Sequence, residues 1–155
     1  MKQLLEVGSF LRSLRARMRF GELSRAPLRL LRLQLQAETA ECDWMARPPD
    51  PWDADLPARV GKRNASLQAL QDAIAVRDLL FGTLPDLSSA LFRVYRESAG
   101  ELAELIITGT VSREEHIPLN VSSLAMNAKL SGFRFRMADG ILEAMQLESE
   151  EVSLK

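Results

Sequence analysis

The sequence predicts an α+β fold, a two-layer sandwich in which a mostly antiparallel sheet carries its helices on one face. The period of the apolar residues changes from about 3.6 to about 2 after Pro27, and a long helical pattern separates two groups of alternating segments. The 155 residues suit one domain, and a hydrophobic fraction of 46% with 26% charged residues excludes a disordered chain.

The N-terminal segment, residues 1–26, is predicted to be a basic amphipathic helix that precedes a single α+β domain over residues 27–155. Its apolar stripe has spacings of three and four residues and consists of Leu4, Val7, Leu11, Leu14 and Met18. An apolar stripe of this kind is normally buried. We therefore expect the helix to pack on the domain or on a partner molecule, with these five side chains as the interface.

Charge is divided unevenly along the chain. Residues 1–33 hold eight basic and two acidic side chains, a net charge of +6, whereas the rest of the chain has a net charge of −7. A basic arm on an acidic body suggests nucleic acid, an anionic lipid surface or an acidic surface of the same protein. Because the two net charges nearly cancel, we favour the last of these.

The first strand is predicted after Pro27. Leu31, Leu33 and Leu35 alternate with polar residues, and the alternation continues through Cys42 and Trp44 with its phase shifted by one position. We interpret the shift as a β-bulge near Thr39 in one long strand.

A proline-rich connection over residues 48–57 leads to a long helix. We expect Asp55 to cap this helix and Gly82 to end it. Two strands with a hairpin loop follow, around Phe92–Val94 and Leu105–Val111, and then a short helix up to Leu130.

The C-terminal hairpin can be predicted to its register. If Asp139 and Gly140 form a type I′ turn, Met137 faces Leu142, Arg136 faces Glu143 and Phe135 faces Ala144. Phe133, Phe135, Met137, Leu142 and Ala144 then share one face. Without the first helix, the element order is β-α-β-β-α-β with one extra strand, which is compatible with a ferredoxin-like arrangement.

The sequence lacks the residue patterns of several enzyme classes. Its eight glycines include no phosphate-binding cluster, and no nucleophile elbow of the form Gly-x-Ser-x-Gly is present. One histidine and one cysteine exclude a zinc site built only from those residue types. We therefore expect no cofactor.

His116 is the one candidate acid–base group. Glu114 and Glu115 could orient it, and Tyr95 could act as a donor, in a small enzyme or ligand-binding domain whose cleft is lined by Ile106, Thr108 and Thr110. The alternative is a solvated loop histidine, which we favour because no nucleophile accompanies it.

Two further features could carry chemistry. Asp50, Asp53 and Asp55 could offer oxygen ligands to a divalent cation, although aspartates in such a segment more often form turns and helix caps. Cys42 shares a strand face with Trp44, which is typical of a buried and unreactive thiol.

The sequence favours a non-catalytic module that works by self-association or by binding another protein. Peripheral binding to an anionic membrane through the first helix is an alternative. Nucleic-acid binding is disfavoured, because aromatic residues make up only 6% of the chain and no RNA-stacking motif is present. The single cysteine makes the cytoplasm the default compartment.

Overall fold

A computed structural model describes residues 2–17, 28–48, 55–97, 102–113 and 123–145, and it confirms the α+β class. Within these ranges, three helices pack on a four-stranded sheet, and a small two-stranded sheet follows. In chain order the elements are α1 (Lys2–Arg17), β1 (Arg29–Gln36), β2 (Thr39–Met45), α2 (Ala58–Thr83), β3 (Ser89–Arg96), β4 (Glu104–Ser112), α3 (Leu124–Leu130), β5 (Met137–Ala138) and β6 (Ile141–Leu142).

The main sheet has the strand order β1-β2-β3-β4. The pairs β1–β2 and β3–β4 are antiparallel hairpins, whereas β2 and β3 are parallel and are connected by α2. A parallel pair needs such a crossover, because the chain must return to the end at which β2 began. The ferredoxin-like order is compatible with these elements and is not confirmed by them.

The phase shift near Thr39 is a chain reversal, so the prediction of one bulged strand was wrong. Ala37 and Glu38 form a two-residue turn, and Leu35 then faces Ala40 while Leu33 faces Cys42. A two-residue turn places an odd-numbered residue opposite an even-numbered one, which produces the observed change of phase. Ala37 has a φ of 56°, a conformation usually taken by glycine.

A bulge does occur in β1, at Leu31. The register with β2 shifts between Leu30 and Arg32, so that Leu30 packs against the core and the side chain of Leu31 is 46% exposed. Leu31 was predicted to share the apolar face of this strand with Leu33 and Leu35, and it is exposed instead.

The core lies between the sheet and α2. Trp44 and Phe92, on neighbouring strands, meet edge to face with ring centroids 5.9 Å apart, and Phe133 lies 5.5 Å from Phe92. From α2, Leu70 and Leu80 are fully buried in the same cluster. Ten residues of a helix leave two side chains about 80° apart around its axis, so both leucines fit within one broad buried face.

The N-terminal helix α1 lies against α2. Phe10 and Leu14 are buried in the core, and Val7 and Leu11 pack against it. The Leu4 side chain and Met18 are outside the described residues. The apolar stripe thus contributes to the domain, and its use as an interface between molecules stays a prediction.

The C-terminal hairpin has the predicted register. Met137 faces Leu142, and the guanidinium of Arg136 lies 3.8 Å from the Glu143 carboxylate. Phe133 and Phe135 are buried as predicted. Ala144 is exposed, because regular pairing between β5 and β6 ends before it.

The start of α2 differs from its prediction. Pro57 is the N-terminal cap residue and makes no side-chain cap hydrogen bond, and Asp55 is exposed. The short helix α3 does have a side-chain cap, since the Ser123 hydroxyl accepts a hydrogen bond from the Met126 backbone N–H at 3.2 Å.

The outer face of the sheet carries charged side chains that neutralise one another. Arg93 on β3 donates to Asp43 at 3.1 Å and to Glu41 at 3.3 Å, and Arg32 on β1 also reaches Glu41 at 3.3 Å. A sheet in a two-layer sandwich can leave one face towards solvent, which suits this pattern.

Candidate functional site

A cavity of about 560 Å³ lies where the parallel strands β2 and β3 end, between the sheet and the first half of α2. Ligands often bind beyond the carboxyl ends of parallel strands, because the connections that leave the sheet there form a crevice. The volume is within the range of roughly 300–1,000 Å³ that is usual for small-molecule pockets. This cavity is the candidate functional site.

The apolar part of its wall comes from four separate elements or their ends, through Ala46, Pro48, Ala65, Ile106 and Ile141. Ile106 is 1% exposed and owes its position to an irregularity in the β3–β4 ladder. Val94 faces Ile107 and Tyr95 faces Leu105, so Ile106 has no partner across the ladder. Such an irregularity turns a side chain away from strict alternation.

The polar part of the wall is formed by Arg47, Lys62, Ser66, Arg96, Glu97 and Glu104. Most of these groups are held by hydrogen bonds or ion pairs to the surrounding protein. The wall is therefore preorganised, which lowers the conformational cost of binding a ligand.

Arg47 is anchored by Asp72 of α2. Its Nε donates to Asp72 Oδ2 at 2.8 Å, and the two side chains are only 1% and 3% exposed. Gln68, one helical turn before Asp72, donates to the other carboxylate oxygen at 2.9 Å. Burial raises the pKa of Asp72, against the lowering effects of its hydrogen bonds and of the Arg47 charge.

The backbone places Arg47 at this point. The N–H of Ala46 donates to the carbonyl of Tyr95 at 2.7 Å, which continues the β2–β3 pairing by one residue beyond β2. Arg47 consequently leaves the sheet beside the helix that carries Asp72.

Arg96 joins the main sheet to the small hairpin. It faces Glu104 in the β3–β4 register, and its Nη2 and Nε donate to Glu104 Oε1 at 2.8 and 3.1 Å. Its Nη1 donates to the backbone carbonyl of Leu142 at 2.7 Å. The Leu142 N–H in turn donates to the buried Ser66 hydroxyl at 2.9 Å, which ties β6 to α2.

Lys62 and Glu97 are the exposed charges of the wall. Glu97 lies 3.5 Å from the guanidinium of Arg29. Among the residues described by the structure, none forms an ion pair or hydrogen bond with the Lys62 ammonium group.

The structure places the proposed cleft residues apart from one another. Ile106 faces the cavity, whereas Thr108 is 6% exposed and its hydroxyl donates to the Phe92 carbonyl at 3.0 Å. Thr110 is exposed. The prediction that these three residues line one cleft was wrong, because the irregularity at Ile106 breaks their alternation. Tyr95 is half-buried and is not part of the cavity wall.

Several candidate groups lie outside the described residues, so their roles stay predictions. These are His116 with Glu114 and Glu115, and Asp50 with Asp53. The described part of the chain contains no group of three or more His, Cys, Asp or Glu side chains that could hold a metal ion.

Cys42 is fully buried on β2 and unpaired. Burial, together with the nearby Asp43 carboxylate, raises the pKa of its thiol to about 12. The thiol is therefore protonated at neutral pH, as expected for an unreactive cysteine.

Sequence reasoning missed the charged residues of the cavity wall. Arg96 is the last residue of β3 and Glu104 is the first residue of β4. Since these two strands were predicted to form a hairpin, an argument from their register could have predicted this pair. Arg47 and Asp72 are 25 residues apart on different elements, and nothing local relates them.

Within the described ranges, no helix is both long and apolar enough to span a membrane. Comparisons with protein-family models, with curated proteins and with solved structures find no match to this chain.

Proposed function

We propose that this protein is a non-catalytic binding module and that the cavity beside α2 receives a small ligand. One observation supports the proposal above all. An apolar floor, formed by Ala46, Ala65, Ile106 and Ile141, is bordered by charged groups, most of which are already held in place. Such a combination is typical of a site that binds and orients a small molecule.

The chemistry of the wall favours binding over catalysis. The Ser66 hydroxyl accepts a backbone hydrogen bond from Leu142, and Arg96 is bound to Glu104. The wall residues that the structure describes include no histidine or cysteine to serve as base or nucleophile. A small enzyme that uses His116 with Glu114 and Glu115 is the alternative, and a His116→Ala variant without any loss of activity would exclude it.

A variant that fills the cavity tests the proposal. Ala65 is half-buried on α2 and contributes to the cavity wall, so Ala65→Phe places a ring in the space for the ligand. Ala58→Phe is the matched control, because Ala58 is exposed on the same helix and is not part of the wall. Circular dichroism verifies that both variants fold.

The probe is N-phenyl-1-naphthylamine, a neutral apolar dye that fluoresces when it leaves water. We expect saturable binding to the wild-type protein and to Ala58→Phe, with at least about a tenfold loss in Ala65→Phe because the ring occupies apolar binding volume. Equal binding by all three folded proteins would contradict the proposal.

Association with a second copy of the chain is a further candidate function. On α1, Leu5 is 73% exposed, and Arg12 and Arg15 of the same helix are also exposed. The charge of +6 on residues 1–33 complements the net charge of −7 on the rest of the chain, which favours contact between the helix of one copy and the body of another.

Sedimentation velocity of the full-length protein at low and high salt tests this association. Leu5→Gln is expected to weaken a salt-sensitive dimer, whereas Leu102→Gln, at a leucine that is 84% exposed, is expected to leave it unchanged. A monomer at every protein concentration excludes self-association. Co-sedimentation with anionic vesicles under the same low-salt conditions would instead favour the membrane-surface alternative.

We also propose a cytoplasmic location, which is supported by the single, unpaired Cys42.

A further inference from the structure

We infer that the ligand of the cavity carries a single negative charge on a mainly apolar body, and that Lys62 receives this charge. The inference rests on the proposed binding function and specifies its ligand class. It follows from the charged groups of the wall and from the chemistry of its floor.

Each carboxylate that the structure describes at the cavity already has an arginine partner. Glu104 accepts two hydrogen bonds from Arg96, Glu97 lies beside Arg29, and Asp72 is paired with Arg47 behind the wall. In each case one arginine accompanies one carboxylate. A cationic ligand would meet an arginine of its own charge beside each of these carboxylates, and its binding is therefore disfavoured.

Among the described residues of the wall, Lys62 is the positive charge that remains. It lies in the second turn of α2 and contributes to the cavity wall. No carboxylate of the described residues lies within ion-pair distance of its ammonium group. An anion in the cavity can therefore pair with Lys62 without breaking an existing contact.

Because the described wall residues include one unpaired cation, they favour a ligand with one negative charge. A second negative charge would find no further unpaired cation among the described wall residues, and it would have to share Arg96 with Glu104 or compete with Asp72 for Arg47. Detaching the buried Arg47 would leave Asp72 as an unpaired charge in the protein interior, which is strongly unfavourable.

The floor determines the remainder of the ligand. Ala65, Ile106 and Ile141 present hydrocarbon surface to the cavity, together with Ala46. Binding is favoured when a ligand covers such surface with apolar groups of its own. The chemical class is therefore a small carboxylic, sulfonic or related monoanion with an aliphatic or aromatic body.

A pair of related dyes separates the charge from the apolar body. 8-Anilinonaphthalene-1-sulfonate has an aromatic body and one sulfonate, and N-phenyl-1-naphthylamine has the same ring system without the charge. We expect the sulfonate to bind wild-type protein more tightly than the neutral dye at low salt and to lose this advantage as salt is added.

The matched variants are Lys62→Gln and Arg59→Gln. Both remove one exposed cation from the first two turns of α2, but only Lys62 is part of the cavity wall. We expect Lys62→Gln to weaken the sulfonate at least about threefold, as loss of a partly exposed ion pair does, and to leave the neutral dye unchanged. Arg59→Gln is expected to change neither dissociation constant.

The outcomes distinguish this inference from the proposed function. If Ala65→Phe blocks both dyes while Lys62→Gln affects neither, the cavity binds ligands and the monoanion inference is wrong. The inference is also overturned if Arg59→Gln and Lys62→Gln weaken the sulfonate equally, because the effect is then one of general charge. Wild-type protein that binds neither dye contradicts both proposals.

Discussion

Gly109 of β4 packs directly against the backbone of Gly132, so closely that a Cβ atom at position 109 would overlap the Gly132 carbonyl oxygen. A Cβ atom at Gly132 would lie 3.2 Å from the Thr110 carbonyl oxygen. Their φ angles, 151° and 111°, also favour glycine. Because of this contact, Thr108 of β4 and Arg134 can exchange two backbone hydrogen bonds, of 3.0 and 2.6 Å, in addition to the pairing of β4 with β3.

Substitution of Gly109 is expected to be strongly destabilising. Gly109→Ala forces the segment after α3 away from β4, and we expect the free energy of unfolding to fall by about 2–4 kcal/mol in urea denaturation. Gly82→Ala is the control, since Gly82 lies in α2 with open space around it and the change is expected to stabilise the protein by up to about 1 kcal/mol. Equal effects at the two positions would contradict the close packing at Gly109.

The buried pair of Arg47 and Asp72 is expected to show strong coupling. Arg47→Met or Asp72→Leu alone leaves an unpaired buried charge and should cost about 3–5 kcal/mol of stability. The double variant removes both charges and should cost no more than either single change. Urea denaturation of the four proteins forms a double-mutant cycle. Additive losses would show that the two side chains contribute independently.

The turn between β1 and β2 predicts an unusual gain from glycine. Ala37 has a φ of 56°, which is costly for alanine, so Ala37→Gly should raise the free energy of unfolding by about 0.5–1 kcal/mol. Ala75→Gly, a helix-interior control in α2, should instead lower it by about 1 kcal/mol. Thermal and urea denaturation measure both. A loss of stability in both variants would argue against the positive φ at Ala37.

Cys42 is expected to make stability depend on pH above pH 9. The thiol pKa rises from 9.0 to about 12 on folding, so the unfolded chain loses this proton first and alkaline conditions favour unfolding. Between pH 8 and pH 10, wild-type protein should lose about 1.4 kcal/mol more stability than Cys42→Ala.

Thiol labelling gives an independent measurement of the same burial. At pH 8, 5,5′-dithiobis(2-nitrobenzoate) should modify Cys42 only as fast as the protein opens. Parallel stability curves for wild type and Cys42→Ala, or rapid labelling of folded protein, would show that the thiol is accessible.

Local sequence signals determined the elements whose cause is itself local. The Asp139-Gly140 turn specifies the register of its hairpin, because both residues tolerate a positive φ and only one pairing separates apolar from charged side chains. The apolar period similarly predicted α2 and the β3–β4 pair. The turn at Ala37 and Glu38 was missed, because neither residue is a usual turn former and the surrounding sheet imposes the positive φ.

The tertiary structure alone decided the cavity and the charges around it. Arg47 meets Asp72, and Arg96 meets the carbonyl of Leu142, only after α2 crosses the sheet and the C-terminal hairpin docks beside it. No periodicity relates residues that are 25 or 46 positions apart. The same packing leaves Lys62 without a carboxylate among its described neighbours, and this excess charge results from the arrangement of the whole domain.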